Sequence, residues 1–368
     1  MSFIPKYTIT PKIVNALTSI EVCKHDITYL PITSLVIASL RESARLMSTH
    51  HSTAIEGNRL TPSEVKKVIK EGSHFPNKKK DEEEVLNYYK ALEYIEKLSL
   101  KEPHIIHEYD IKMLHGISFI GHNKPIPYRD GQNVIRSGKL VVYIPPKHDE
   151  VPILMTDLVE WINNSIKQHI PIPILAGLAH YQFATIHPYY DGNGRTARLL
   201  TTLILHKYGY GLKGIYSLEE YYARDLQSYY NALTIGTDED YYDGNRSTED
   251  LTSFLEYFIQ GMSESFDIIC KQARKSKDFG RVDHSQLLRQ LKPQQRQILK
   301  LFLSTKEITT KDISQFFNFS ERQARHLSKK WVEEKFLEIS NPAPKTRTYQ
   351  LCEIYETLVT QNINEQNA

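Results

Sequence analysis

Residues 187–198 read HPYYDGNGRTAR. The apolar run LAGLAHYQFATI leads into them as a helix, and Pro188 cannot continue that helix's hydrogen-bond ladder, so the chain turns there. Gly192 and Gly194 permit backbone angles closed to other residues. RTARLLTTLILH then reads as a new helix, which places the glycine turn at a helix N-terminus. Free N–H groups and the positive end of the helix dipole favour an anion there, phosphate above all. Arg195 and Arg198 are three apart on one helix face, and two guanidinium forks at one anion site suit a polyphosphate. Asp191 is a lone carboxylate beside that site; one carboxylate with phosphate oxygens and water is a common way of holding Mg²⁺. His187, across the turn, accepts a proton near neutral pH. A base, an anion hole, a metal ligand and two cations are what hydroxyl attack on a nucleotide phosphate requires.

Outward from this segment the chain is mostly helical. Residues 33–56 carry a three-to-four spaced stripe of Val36, Leu40, Ala44, Met47, His51 and Ile55, stopped by Gly57 and Asn58. TPSE opens the next helix, with Thr61 as N-cap, Pro62 at its first position and Glu64 closing a capping box. KKKDEEE (78–84) reads as a solvated loop and first helical turn, and residues 85–120 as helix again. Val134, Ile135 and KLVVYI (139–144) flank a polar RSG as a β-hairpin that Pro145 and Pro146 end. Helical patterns resume over 150–278, broken around 208–216 and 236–247, and 271–283 reads as a linker or helix end. Its DFG triplet has no kinase catalytic or Gly-rich loop to accompany it and reads as chance. Beyond it come three helices, QQRQILKLFL, TTKDISQFFN with Thr310 as cap, and SERQARHLSKKWVEEK opened by Ser320, then two short strands around a Pro-rich tip. Three helices and a hairpin are the pattern of a winged helix-turn-helix.

Bulk properties fit a soluble protein: 368 residues, 40% hydrophobic, 24% charged, formal net charge +2. Cys23, Cys270 and Cys352 form no CxxC pair, which fits neither a disulfide framework nor a zinc site. MSFIPKYTIT lacks the apolar core of a secretory signal, and no apolar run approaches the roughly 20 residues needed to span a bilayer, so the expected location is the cytoplasm, with no membrane partner. His180 is two helical turns from His187, too far to share a metal. His50, His51, His104 and His107 read as surface or cap residues, and the many tyrosines as packing.

The segment 187–198 resembles the signature of the Fic family, HPFxxGNGRxxR, with Tyr189 where the family usually has Phe. YRDGQNVI (128–135) and YIPPKHDEVPILMTDLVEWIN (143–163) are similar to the family's flap and following helix, with Ile135, Arg136 and Ser137 where the flap often reads IGG. YYNAL (229–233) resembles a tyrosine pair, Tyr229 and Tyr230, placed near adenine. The resemblance implies a mainly α fold: an N-terminal helical region (1–90), a Fic core with a β-hairpin flap (91–270), the linker, a winged helix (284–355) and a tail (356–368). It implies AMP transfer from ATP, with Mg²⁺, to a Ser, Thr or Tyr hydroxyl of a target protein or of the chain itself, releasing pyrophosphate. His187 is then the base and Asp191 holds Mg²⁺ against the α- and β-phosphates. Gly192, Asn193 and Gly194 form the anion hole, Arg195 grips the α/β region and Arg198 the γ-phosphate. Tyr189 and Tyr190 line the nucleotide site, and Gln132, Val134 and Ile135 of the flap meet the target.

STAIEG (52–57) matches the family's inhibitory pattern [ST]xxxE[GN] with Ser52, Glu56 and Gly57. There Glu56 pairs with Arg198, denies it to the γ-phosphate and holds the enzyme off; positioning water for AMP removal is a second role open to it. Gly194 argues against the phosphate-transferring branch, which has Lys at that position; the phosphocholine branch stays open on the signature alone. Family members often pair, so a homodimer is an open partner. A different class of reading is a DNA-binding regulator. Residues 284–350 hold 13 Lys/Arg against 6 Asp/Glu, and Arg322, Arg325, Lys329 and Lys330 lie in the would-be recognition helix.

Overall fold

The computed structural model describes residues 3–29, 34–102, 105–137, 139–235, 240–241, 248–279, 291–302, 305–343 and 347–360. The chain divides into two compact units, Met1–Lys277 and Asp278–Ala368. Among the described residues no helix is long and apolar enough to cross a membrane. Helices α1 (Pro11–Tyr29), α2 (Ser34–Ile55), α3 (Pro62–Glu71), α4 (Lys79–Ser99) and α5 (Glu108–His115) come first, and α5 runs into a π-turn, Gly116–Ile120. The hairpin β1 (Ile135–Ser137) and β2 (Leu140–Tyr143) follows. Then come α6 (Val151–Lys167), α7 (Ile172–Ile186), α8 (Asn193–Lys207), α9 (Glu219–Arg224), α10 (Leu226–Leu233) and α11 (Thr252–Phe279).

Helix α7 is apolar all round, so it must be buried on every side. It is: Leu175, Leu178, Tyr181, Phe183 and Ile186 are fully enclosed. Helix α8 packs along it and is covered in turn by α4, α5 and α2. The turn joining α7 to α8 therefore stands on the two most deeply set helices of the unit, and side chains anchored there lose little further freedom on binding.

Helix α2 departs from its predicted stripe. Leu40, Ala44, Met47 and His51 are only half-buried, Val36's side chain lies outside the described residues, and the enclosed face is Ser48, Thr49, Ser52, Thr53 and Ile55. Small hydroxyl residues are needed there because this face lies on Arg198 of α8. Thr49 and Thr53 donate to carbonyls one turn back, which satisfies their hydroxyls inside the helix. Gly57, at φ 91°, ends α2: Asn58 N–H reaches the Thr53 carbonyl and Gly57 N–H the Ala54 carbonyl, a Schellman cap that fixes Glu56 as the last residue of the turn.

The expected capping box of α3 is present, Thr61 with Glu64. The charge run 78–84 opens α4 as expected, with Lys79, Lys80 and Glu83 exposed, but part of it is not solvated. Asp81 and Glu82 are buried, Asp81 pairs with Arg59 at 2.7 Å, Glu82 with His74 at 2.8 Å, and Lys78 with Glu64 at 2.8 Å. Carboxylates in the first turn of α4 sit at its positive end and clasp the 59–78 segment onto the helix. Strand β1 starts at Ile135 rather than Val134, whose N–H is taken by Asn133 Oδ1, and the pairing shifts between Ile135 and Arg136. Helix α11 continues to Phe279, so 271–279 are helical rather than linker; Lys, Gln, Ala and Arg there are helix formers however polar. Of the expected break at 236–247 only 240–241 lie inside the described residues; His104 and the 280–290 segment lie outside.

The second unit holds α12 (Pro293–Phe302), β3 (Ile308–Thr309), α13 (Thr310–Phe317), α14 (Glu321–Glu333), β4 (Leu337–Asn341), β5 (Thr348–Leu351) and α15 (Glu353–Thr360). Its antiparallel sheet has the order β3-β5-β4, with Tyr349 between Ile308 and Ile339. Trp331, Phe336, Ile298, Phe302 and Ile313 form the core. Two readings shift here. Thr309, not Thr310, caps α13, because Thr309 accepts from Asp312 N–H and Asp312 accepts back. The tail predicted from 356 is helical as far as Thr360.

Candidate active site

His187 ends α7 in the left-handed region (φ 51°, ψ 59°), which costs a non-glycine residue roughly 1–2 kcal/mol. Surrounding bonds hold it there. Its N–H donates to the Phe183 carbonyl at 3.1 Å and its own carbonyl accepts from Arg129 Nε at 3.0 Å. The ring Nδ1 lies 3.3 Å from the Ala184 carbonyl, which can only accept, so Nδ1 carries the proton and Nε2 is the free base. Burial pushes the imidazole down to about 4, against the Ala184 bond, so the ring is neutral at physiological pH.

The loop is closed by Asn193, whose side chain accepts from Tyr189 N–H at 3.0 Å and donates to the Tyr189 carbonyl at 2.8 Å. The side chain thus shapes the loop that carries the Asn193 backbone N–H. Gly192 (φ 74°) precedes α8, and a Cβ there would meet Phe119 at 2.9 Å. Asp191 is exposed, with one carboxylate oxygen accepting from Gly192 N–H at 2.6 Å. Tyr189 is core, stacked flat on His115 at 3.5 Å between centroids, and His115 bonds Thr196 of α8 at 3.0 Å. Tyr190 is exposed and donates to Asp130 at 2.7 Å. These two tyrosines thus take different parts: Tyr189 braces the loop from below, and Tyr190 borders it.

Arg195 and Arg198 are both buried, as their three-residue spacing puts them on one inward face. Arg198 donates through Nε to Ser52 Oγ at 2.8 Å, and through Nη2 to the Ser52 carbonyl at 3.0 Å and Glu56 Oε1 at 2.8 Å. The Ser52-to-Glu56 spacing is one helical turn, so one face of α2 delivers all three acceptors. Burial works against the Arg198 charge, and Glu56 together with Tyr229 and Tyr88 outweighs it, holding the guanidinium above its ordinary value. Nη1 of Arg198, and Nε and Nη1 of Arg195, make no hydrogen bond although buried. Among the described residues Arg195 has an ion pair with Glu84 at 3.7 Å and the face of Phe119 beneath it. Three buried guanidinium N–H groups without acceptors are a costly arrangement unless a ligand supplies the oxygens. The Glu56 carboxylate meanwhile lies over the first turn of α8, where a Cβ on Gly194 would fall on Oε1.

The flap margin is fastened to this loop. Gln132 Nε2 donates to the Pro145 carbonyl at 3.0 Å, and Asn133 Nδ2 to the Tyr190 carbonyl at 3.3 Å. Val134 and Ile135 are half-buried at the hairpin's start. Tyr230, 44% exposed, lies over the end of α2, its hydroxyl 3.5 Å from the Ile55 carbonyl. Tyr229 is enclosed, and its hydroxyl meets His180 Nε2 at 2.9 Å. His180 is a core histidine, bonded also to Thr201. His50 and His51 are half-buried in α2 rather than on the surface. Sequence reasoning missed Arg129 and Glu84. Glu84 stood inside a charge run, and Arg129 serves only carbonyls, which no residue type marks.

These geometries place buried guanidinium nitrogens without hydrogen-bond partners near the turn between two buried helices, with a hairpin fastened to that turn. Residues 105–205 match the model of the Fic/DOC family. Over 172 residues the chain is 34% identical to the protein adenylyltransferase Fic of Drosophila mojavensis, spanning 46% of this chain and 33% of that protein. Over 213 residues it is 29% identical to the protein adenylyltransferase fic-1 of Caenorhabditis briggsae, spanning 56% of this chain and 41% of that one. The chain thus covers well under half of these curated relatives. The crystal structure of a Fic family protein from Desulfovibrio desulfuricans G20 superposes with TM-score 0.62 and 26% identity over 95% of this chain and 99% of that one. The chain is thus similar to the Fic/DOC family over residues 105–205.

Proposed function

We propose that this protein is a protein adenylyltransferase held off by Glu56. One observation carries the reading: the chain's own carboxylate stands over the α8 N-terminus, bonded to a buried arginine, where a phosphate is expected. In the reaction, His187 Nε2 takes the proton of a Ser, Thr or Tyr hydroxyl. The hydroxyl oxygen attacks the α-phosphorus, the bond from that phosphorus to the bridging oxygen breaks, and pyrophosphate leaves. Arg195, Arg198 and the backbone N–H groups of 192–194 hold the phosphates. Asp191 fits a Mg²⁺ ligand, since it is exposed beside those unbonded guanidinium groups, and among the described residues no cluster of three metal-binding side chains occurs, so nucleotide oxygens and water would complete the set. When bound, the ion neutralises charge on the phosphates. Tyr230 is the tyrosine placed to border the nucleoside, and the flap edge at 132–135 is the surface offered to the target.

Incubation with α-labelled and γ-labelled ATP in parallel tests this: label on protein from the α-position alone is expected, and label from the γ-position alone would mean kinase chemistry. The low value of His187 also fixes a pH profile. The base acts only when neutral, so kcat/KM should hold as pH falls below the ordinary 6.5 and drop only near pH 4. A drop centred near 6.5 would show that His187 is not the buried base described here.

Every proposed catalytic residue lies before the second unit. A chain ending near residue 280 is therefore expected to keep self-modification; a folded truncate without it would refute this division. The second unit supports a further reading, as a winged helix that contacts DNA, because Arg322, Arg325, Lys329 and Lys330 are all exposed on α14. Two of these are partly neutralised by Glu321 and Glu333 on the same helix. Duplex binding by the full chain that weakens with salt and is lost on Arg322→Glu with Lys330→Glu would support it; salt-independent or absent binding would end it.

A further inference from the structure

Arg129 is 4% exposed, yet among the described residues it has no acidic partner. Its guanidinium makes its hydrogen bonds to backbone carbonyls: Nε to His187 at 3.0 Å, Nη1 to Gly131 at 3.0 Å, and Nη2 to Pro146. Its backbone N–H adds a bond to the Pro188 carbonyl at 2.9 Å. Gly131 precedes strand β1 and Pro146 follows strand β2, so the fork gathers both feet of the flap and the carbonyl of His187 into one planar group. The same carbonyl belongs to the left-handed residue that ends α7.

We propose that Arg129 is a positioning residue that sets the flap and the His187 base in a fixed mutual geometry, so that a hydroxyl presented on the flap arrives within reach of Nε2. This rests on the adenylyltransferase reading. Carbonyls are the right acceptors for such a part: they place no second charge beside the base, and a carboxylate partner would draw the arginine to one side. Three acceptors in three directions need a rigid planar fork, which lysine does not supply. The nucleotide itself is gripped by 191–198, on the far side of the loop, so Arg129 should govern chemistry rather than ATP binding.

The experiment is made on the full chain carrying Glu56→Gly, with Arg129→Gln and Arg129→Lys added separately. Each is expected to lower kcat for AMP transfer roughly 10–100-fold, the effect of a misplaced reacting group, with the Kd for a non-hydrolysable ATP analogue changed less than about threefold. Amide hydrogen exchange should quicken over 131–146 while that of α7 stays slow. Equal losses in ATP binding and rate would reduce Arg129 to general structure. Restoration of the rate by Lys would overturn the fork, since charge alone would then suffice. Should Glu56→Gly protein transfer no AMP, the functional reading fails, and exchange still decides the tether: faster exchange confined to 131–146 upholds it, and unchanged exchange refutes it.

Discussion

Glu56→Gly is expected to raise AMP transfer roughly 10–150-fold. That range follows from a charge-assisted hydrogen bond worth about 1.5–3 kcal/mol. The bond is the 2.8 Å contact between Glu56 Oε1 and Arg198 Nη2, with the carboxylate lying over Gly194. Removing it frees the guanidinium and the α8 N-terminus together. Ser52 still holds Nε and Nη2 of Arg198, so the arginine keeps its orientation and only its acceptor at the ligand side is lost. Glycine at position 56, one residue beyond α2 and beside the Gly57 cap, removes the Arg198 contact but opens no core cavity, because residue 56 is exposed. Most substitutions harm a protein, so a gain cannot come from general damage. ATP affinity should rise with the rate, and Arg198→Ala should cancel both gains. An unchanged rate in the Glu56→Gly protein would sink the inhibitory assignment. Decay of label after ATP is withdrawn distinguishes simple release from AMP removal: label lost only when Glu56 is present means that Glu56 also serves removal.

His187→Ala is expected to cost on the order of 10²–10⁴ in rate with nucleotide binding kept. Among the described residues the ring hydrogen-bonds only the Ala184 carbonyl, so truncation leaves the loop closed by Asn193 and the fork of Arg129 on the backbone. Calorimetric titration with an ATP analogue alongside the labelling rate separates the two terms. Near-parental labelling would reassign the base; lost ATP binding would mean that the ring shapes the loop.

Much of this was legible in the sequence because it depends on backbone rules. Pro188 and Gly192 must turn the chain, and Thr61 and Glu64 must cap; Ser52 and Glu56 were legible only through their resemblance to the family's inhibitory pattern. What escaped depends on partners distant in sequence. The run 78–84 reads as solvent-facing until Arg59 and His74 fold back on it. Tyr229 and Tyr230 are adjacent and chemically alike, yet one is enclosed by His180 and Tyr222 while the other stays exposed. The two-residue strand β3 has too little pattern to show a period. α2 carried the wrong stripe for a related reason: the face that matters grips an arginine, and hydroxyls do that where leucines cannot.

The side chain of Glu56 remains 27% open to solvent while the arginine it restrains is sealed. A restraint of one hydrogen bond at a wet helix end cannot shut an enzyme completely. At the energies above, on the order of 1–10% of molecules stand uninhibited at any moment. Such a protein has a basal output set by thermal fluctuation, and ATP itself competes for the same arginine. On the proposed adenylyltransferase reading, resting activity should therefore climb with ATP concentration before any dedicated signal arrives.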